Sequence, residues 1–272
     1  MSSKIKYGII DYIDNSHIKL RVYPDKLLKD YVQRNKNGYR TAKKEGKIEN
    51  RSLRRTADTI KKLVSFNEDK FKTFITLTFK DDVEDIDEAF KRFQSYIKYC
   101  KRHLNDELYY ICVPEIQKKR AEKTGKYVIH FHMVSNISLD SELIPKREPK
   151  QIAGEGHSGV RTICYYDLVG WSHGYSFAMG IEKDTTFNLS LYLIKYLCKD
   201  MDDRFFNRQK LLKSNNLKYP ESKDICSQEE VDNILQYNND SIVEVYGSKI
   251  GVNGKYINYQ DYVFKSNKKP ND

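Results

Sequence analysis

His130 and His132 stand one residue apart in YVIHFHMVSN, residues Tyr127 to Asn136, within an apolar, β-branched run. Side chains at i and i+2 of a β-strand point to the same side, so the two imidazoles share a face. A lone histidine there would more often be a satisfied core residue. Two on one face must both find partners, and a single divalent cation satisfies both at once. Glu115, in LYYICVPEIQ, is the third candidate, because a carboxylate in an apolar strand must be paired, exposed or bound to a metal. If the two runs are antiparallel neighbours, Glu115 joins the histidines when paired residue numbers add to an odd number near 245. Gln117 then shares that face, and Pro114 must lie at an edge or a bulge. A place for Glu115 at a solvated strand end is the competing assignment.

A second chemical signal lies in LSLYLIKYLCKDM. On a helix, Tyr192, Lys195, Tyr196 and Lys199 fall at i, i+3, i+4 and i+7 and form one polar stripe, while Leu189, Leu193 and Leu197 turn elsewhere. Tyrosines at helical spacing are commonly packing residues. A phenol with a pKa of roughly 10 is about one part in a thousand ionised at neutral pH, and flanking ammonium groups with a metal-held phosphate favour the phenolate.

These residues need elements to hold them. Ser52 to Val64 reads as an amphipathic helix with Leu53, Ala57, Ile60 and Val64 on one stripe. TFITLTFK, Thr73 to Lys80, has strand length and strand composition. Asp85 and Glu88 open a helix whose stripe is Ile86, Phe90, Phe93, Ile97, Cys100 and Leu104. LYYICVPEIQ and YVIHFHMVS follow as two strands, and the charged, glycine-containing KKRAEKTGK between them reads as a hairpin connection. The stretch from Ile137 to Thr162, with PKREPK and GEGHSG, reads as an irregular loop or insertion. A further strand or two is expected around GWSHGYSFAMGIEK, then a helix from about Phe187 to Asp200. Ser227 with Glu230 opens a short helix, and the C-terminal region is rich in strand signals. The order of elements predicts an α+β fold, an antiparallel sheet with helices packed on it. It divides into a basic N-terminal segment (1–50), a central domain (51–220) and a C-terminal extension (221–272).

At this point the motifs resemble, in order, those of an HUH endonuclease of the rolling-circle replication initiator (Rep) type. FITLTF resembles the family's first motif, EIQKKR its Glu-containing strand, HFHMV its His-hydrophobe-His motif and YLIKYLCK its Y-x-x-K-Y helix. The resemblance runs from about Ser52 to Pro220. It implies an RRM-like antiparallel sheet with the tyrosine helix packed across it, and His130, His132 and Glu115 as ligands of Mg²⁺ or Mn²⁺. It further implies that Tyr196 attacks single-stranded DNA at a replication origin, leaving a 5′-phosphotyrosine and a free 3′-OH. Tyr192 then matches the first tyrosine of two-tyrosine members, which acts when strand transfer closes a circle. Lys195 and Lys199 match stabilisers of phosphate or phenolate. A host helicase and a host DNA polymerase are the implied partners.

Composition bounds these readings. The net charge of +10 is unevenly placed. Residues 1–72 hold 19 Lys and Arg against 9 Asp and Glu, so the other 200 residues are neutral with 29 of each. The excess is densest from Arg34 to Lys62, where Arg51, Arg54, Arg55, Lys61 and Lys62 could meet a phosphate backbone or form a solvated face. No apolar run approaches the roughly 20 residues of a membrane span, and the N-terminal residues lack a signal-peptide pattern, so a cytoplasmic protein is expected. The five cysteines are scattered, without C-x-x-C, which argues against a disulfide framework or a thiolate zinc site. Each Gly-Lys pair is followed by Ile or Tyr, so there is no P-loop. A plasmid-mobilisation relaxase or an HUH transposase shares the implied chemistry. From outside that class, a cupin-like metal enzyme also uses His-x-His, and a non-catalytic nucleic-acid-binding protein would account for the basic N-terminus.

Overall fold

The computed structural model of the protein describes residues 5–13, 17–28, 50–104, 107–145, 150–156, 159–181, 186–199, 203–205, 207–220, 222–252 and 255–265. Most of the basic stretch, Arg34 to Glu49, lies outside the described residues. The chain divides into two units, Gly46–Lys218 and a second one that joins Met1–Glu45 with Tyr219–Asp272.

The chain opens with two strands of the second unit, β1 (Ile5–Tyr12) and β2 (His17–Leu28). The central unit follows with α1 (Asn50–Phe66), β3 (Thr73–Phe79), α2 (Ile86–His103), β4 (Tyr110–Ile116), α3 (Lys118–Thr124) and β5 (Ile129–Ser135). It continues through β6 (Lys150–Gly156), β7 (Gly159–Tyr165), β8 (Gly174–Gly180), α4 (Thr186–Lys199) and the two-residue β9 (Leu212–Lys213). Five strands form one antiparallel sheet in the order β8-β3-β5-β4-β9, and β6 and β7 pair with each other alone. The fold is therefore α+β, with helices on an antiparallel sheet, as an RRM-like HUH fold requires.

Period-two alternation divides the sheet into two faces. On one, Ile75, Leu77, Phe79, Cys112, Ile129, Phe131 and Met133 pack against Phe93, Tyr96, Ile97 and Cys100 of α2. The start of α2 is fixed by Asp85, whose Oδ1 accepts the backbone N–H groups of Asp87 and Glu88 at 2.7 and 3.1 Å. On the other face, Phe74, Ile111, Val113 and Val134 pack against Ala57, Ile60, Leu63 and Val64 of α1 and Leu193 and Leu197 of α4. Glu115, His130 and His132 belong by parity to this second face, on the side of the tyrosine helix.

Two stretches differ from the sequence-based expectation. The connection KKRAEKTGK contains a helix, α3, because Lys, Arg, Ala and Glu are good helix formers, and Gly125 ends it in the left-handed region (φ 72°). The expected loop after Ile137 contains the β6–β7 hairpin, with its turn at GEGHSG. Its flanks, QIAGEG and GVRTICY, alternate too little in polarity to announce a strand. The region after α4 reads in sequence only as basic, yet it sends Phe205 and Leu212 into the core.

In the second unit, β10 (Lys223–Ile225), α5 (Gln228–Tyr237), β11 (Ile242–Val252) and β12 (Lys255–Lys265) complete a sheet ordered β10-β1-β2-β12-β11. Ser227 caps α5 by accepting the N–H of Glu230. Arg21 of β2 donates two hydrogen bonds of 2.7 Å to Asp261 of β12, whose carboxylate is fully buried. That bidentate pair ties strands from opposite ends of the sequence.

Phe131 lies between the two histidines in sequence and on the opposite face in space, fully buried against Phe93 (ring centroids 4.7 Å apart) and Phe79 (6.1 Å). We expect Phe131→Ala to destabilise the protein by about 3–5 kcal/mol, and Phe131→Leu by distinctly less. Urea denaturation of both variants checks this.

Candidate metal centre and tyrosine helix

The ladder between β4 and β5 pairs Glu115 with His130 and Val113 with His132, so that paired numbers add to 245 along its length, as the sequence reading requires. Beyond Ile111 and Cys112, β4 has no ladder partner in β9, and Pro114 sits in that unpaired stretch. Ligand atoms of Glu115, His130 and His132 lie within 4.8 Å of one another. Nε2 of His132 is 2.5 Å from Oε2 of Glu115, and its Nδ1 is 3.3 Å from the hydroxyl of Thr76, the residue opposite it on β3. Nδ1 of His130 is 3.3 Å from Nε2 of Gln117, whereas the buried Nε2 of His130 has no hydrogen-bond partner among the described residues.

The donor set fits a divalent cation. One carboxylate and two neutral imidazoles suit Mg²⁺ or Mn²⁺, with the carboxylate as the hard donor. The unpartnered Nε2 is the buried acceptor that a cation would serve. The contact between His132 and Glu115 holds a shared proton that a cation would displace. His130 is already suited to the neutral form, since burial, then His132 and Arg120, push its pKa down to about 3.

On α4, Leu193 and Leu197 are buried while Tyr192 and Lys195 are exposed, so the polar stripe faces away from the core. The Tyr196 ring stacks on the His132 ring, centroids 3.6 Å apart and planes 12° apart. Its hydroxyl donates to the Tyr192 hydroxyl at 2.5 Å. Phe74 supports the group, edge-on to Tyr192 at 4.7 Å and stacked toward His132 at 6.0 Å. Burial and this hydrogen bond push the Tyr196 pKa up. The lysines flanking the tyrosines in sequence suggest the reverse, yet the Tyr196 hydroxyl is engaged with Tyr192 rather than with Lys195. The side chain of Lys199 lies outside the described ones.

An open cavity of about 720 Å³ adjoins these residues. Glu115, Gln117, His130 and Tyr196 line it, with Lys195 from α4 and Lys118, Arg120 and Lys123 from α3. Those three α3 residues were not among the sequence candidates. Their signal was the basic density of KKRAEKTGK, which reads as a solvated connection until the helix turns it toward the histidines. Arg54 and Arg55 are exposed on α1, and neither they nor Lys61 and Lys62 line this cavity. Arg51 belongs to α1, but its side chain is outside the described ones. A larger cavity, about 810 Å³, lies against α5 in the other unit and has no histidine in its lining.

Residues 72–201 match the family described as replication-associated protein ORF2. The match covers slightly under half of the 272 residues, from β3 to the end of α4, and contains every residue of the cluster just described. Comparison with curated proteins and with solved structures gives no match. No helix among the described residues is long and apolar enough to cross a membrane.

The depressed His130 pKa sets a pH dependence. As pH falls below about 6.5 the unfolded chain binds a proton at this residue, while the folded, metal-free protein does not until about pH 3. Stability must therefore fall with acidification across that window. We expect a His130→Leu variant, measured by urea denaturation in EDTA, to lose less stability than the wild type between these limits.

Proposed function

We propose that this protein initiates rolling-circle DNA replication by nicking single-stranded origin DNA through a tyrosine nucleophile. The observation that carries the reading is the placement of Tyr196 against His132, on the sheet face that holds the Glu115, His130 and His132 cluster. The match to replication-associated proteins over this same segment supports it, and so do the cavity's basic residues, which suit an anionic backbone.

Glu115, His130 and His132 would hold Mg²⁺ or Mn²⁺, which when bound polarises the scissile phosphate and fixes its orientation. The Tyr196 hydroxyl gives up its hydrogen bond to Tyr192 and attacks phosphorus. The bond from phosphorus to the 3′ oxygen breaks. One proton leaves the phenol and one is taken up by the leaving oxygen, so the products are a 5′-phosphotyrosine and a 3′-OH. A phosphoester replaces a phosphoester, and no nucleotide cofactor is required. Lys195, exposed at the cavity, stabilises the phosphate charge, and Lys199 follows it on the same sequence stripe. The 3′-OH primes a host polymerase behind a host helicase. Tyr192, adjacent and exposed, is free to act while Tyr196 holds DNA, as the joining step demands. A relaxase or a transposase would share the nicking step; the paired tyrosines favour the initiator. The open sheet with helices on both faces is not the double-sheet jelly roll of a cupin-type enzyme.

With single-stranded origin DNA and Mn²⁺, a covalent protein–DNA adduct should form. It should disappear with EDTA and in His130→Ala or His132→Ala. Tyr196→Phe should abolish the adduct at the first cut. Tyr192→Phe should still nick but fail to regenerate a closed circle. Peptide mapping of the adduct reads the assignment: an adduct on Tyr192 alone reverses the two roles, and one on neither tyrosine discards the mechanism in favour of a non-catalytic binder.

Affinity for the strand is a separate property. Arg54→Ala and Arg55→Ala should weaken DNA binding and flatten the slope of log K against log salt, by roughly one unit per lost phosphate contact. Fluorescence anisotropy across a salt series gives the slope, and an unchanged slope makes this face of α1 merely solvated.

A further inference from the structure

Two buried polar atoms in the cavity wall lack hydrogen-bond partners among the described residues, Nε2 of His130 and Oε1 of Gln117. They belong to the two side chains that meet through Nδ1 of His130 and Nε2 of Gln117, 3.3 Å apart. With the amide in this orientation its NH₂ donates to Nδ1. A neutral imidazole then carries its proton on Nε2, where nothing receives it and where no cation can bind. The oxygen and nitrogen of a primary amide are nearly interchangeable in shape, and the hydrogen-bond network decides between them.

His132 shows how the conflict resolves. Its Nδ1 faces an oxygen, the Thr76 hydroxyl at 3.3 Å, and its Nε2 faces Glu115. Turning over the Gln117 amide gives His130 the same arrangement. An oxygen then stands at Nδ1 and accepts its proton, and Nε2 keeps a lone pair. The NH₂ replaces an oxygen that nothing serves, in the wall of a cavity whose basic lining suits an anionic guest.

We propose that Gln117 is a positioning residue, whose amide oxygen accepts the Nδ1 proton of His130 and so commits Nε2 to the cation. Thr76 does the same for His132. The proposal rests on the reading of Glu115, His130 and His132 as a cation site, and it deepens that reading by assigning the ring atoms and the groups that fix them. Such outer partners orient a metal-binding imidazole and raise its basicity.

The test begins with full-length, metal-free protein labelled with ¹⁵N-histidine, at a pH where His130 is neutral. Long-range ¹H–¹⁵N correlation reports which ring nitrogen carries the proton, and His130→Ala assigns the signals. The expected tautomer is Nδ1–H in the wild type and in Gln117→Glu, which keeps an acceptor. It should shift toward Nε2–H in Gln117→Met, which keeps the length and loses the acceptor. Mn²⁺ titration followed by electron paramagnetic resonance should show affinity roughly ten- to a hundredfold weaker in Gln117→Met and restored in Gln117→Glu. Wild-type His130 protonated on Nε2, or undiminished Mn²⁺ affinity in Gln117→Met, overturns the proposal. Failure of the cation site itself reads differently: the wild type then binds no Mn²⁺, whatever its tautomer.

Discussion

The register between β4 and β5 is the constraint from which the site follows. Pairing Glu115 with His130 puts a carboxylate across from one imidazole and, diagonally, against the other. A slip of one residue would send Glu115 to the α2 face, among Phe93, Tyr96 and Phe131, where an ionised carboxylate has no partner. Burial therefore enforces the register from the opposite side. Ile129, Phe131 and Met133 must face α2, and the histidines that alternate with them have no choice of face.

The same alternation explains how much was legible in the sequence. The helix stripes of α1, α2 and α4 and the period-two runs of β3, β4 and β5 are local patterns, and they located the central elements and the shared face of Glu115 and the histidines. Thr76 and Gln117 were harder to weigh, because a polar residue on a strand declares neither its partner nor its atom-level role. The β6–β7 hairpin carries no comparable signal, because its glycine-containing strands lack an apolar face. The sheet shared by residues from both ends of the chain could not be read at all, since the pairing of β2 with β12 joins segments more than 200 positions apart, and no local pattern encodes a distant partner.

The tyrosine pair illustrates a different limit. Helical spacing placed Tyr192, Lys195 and Tyr196 on one stripe, but the state of a phenol depends on what covers it. Here Tyr196 lies flat on an imidazole and donates its proton to its neighbour's oxygen. Both contacts favour the neutral form. The resting site thus keeps this phenol protonated, and ionisation is left to the charge that substrate and cation bring.

The sheet assembled from both ends of the chain has a consequence for the order of events during synthesis. All five strands of the central sheet lie between Thr73 and Lys213, so this unit has its full set of partners once that much has left the ribosome. β1 and β2 emerge before any of it, yet β12, which carries the buried partner of Arg21, comes at the far end. The first strands made must wait for nearly the last, with one edge each unpaired in the interval. The central unit, with its histidine cluster and tyrosine helix, can therefore be in place before the terminal sheet closes.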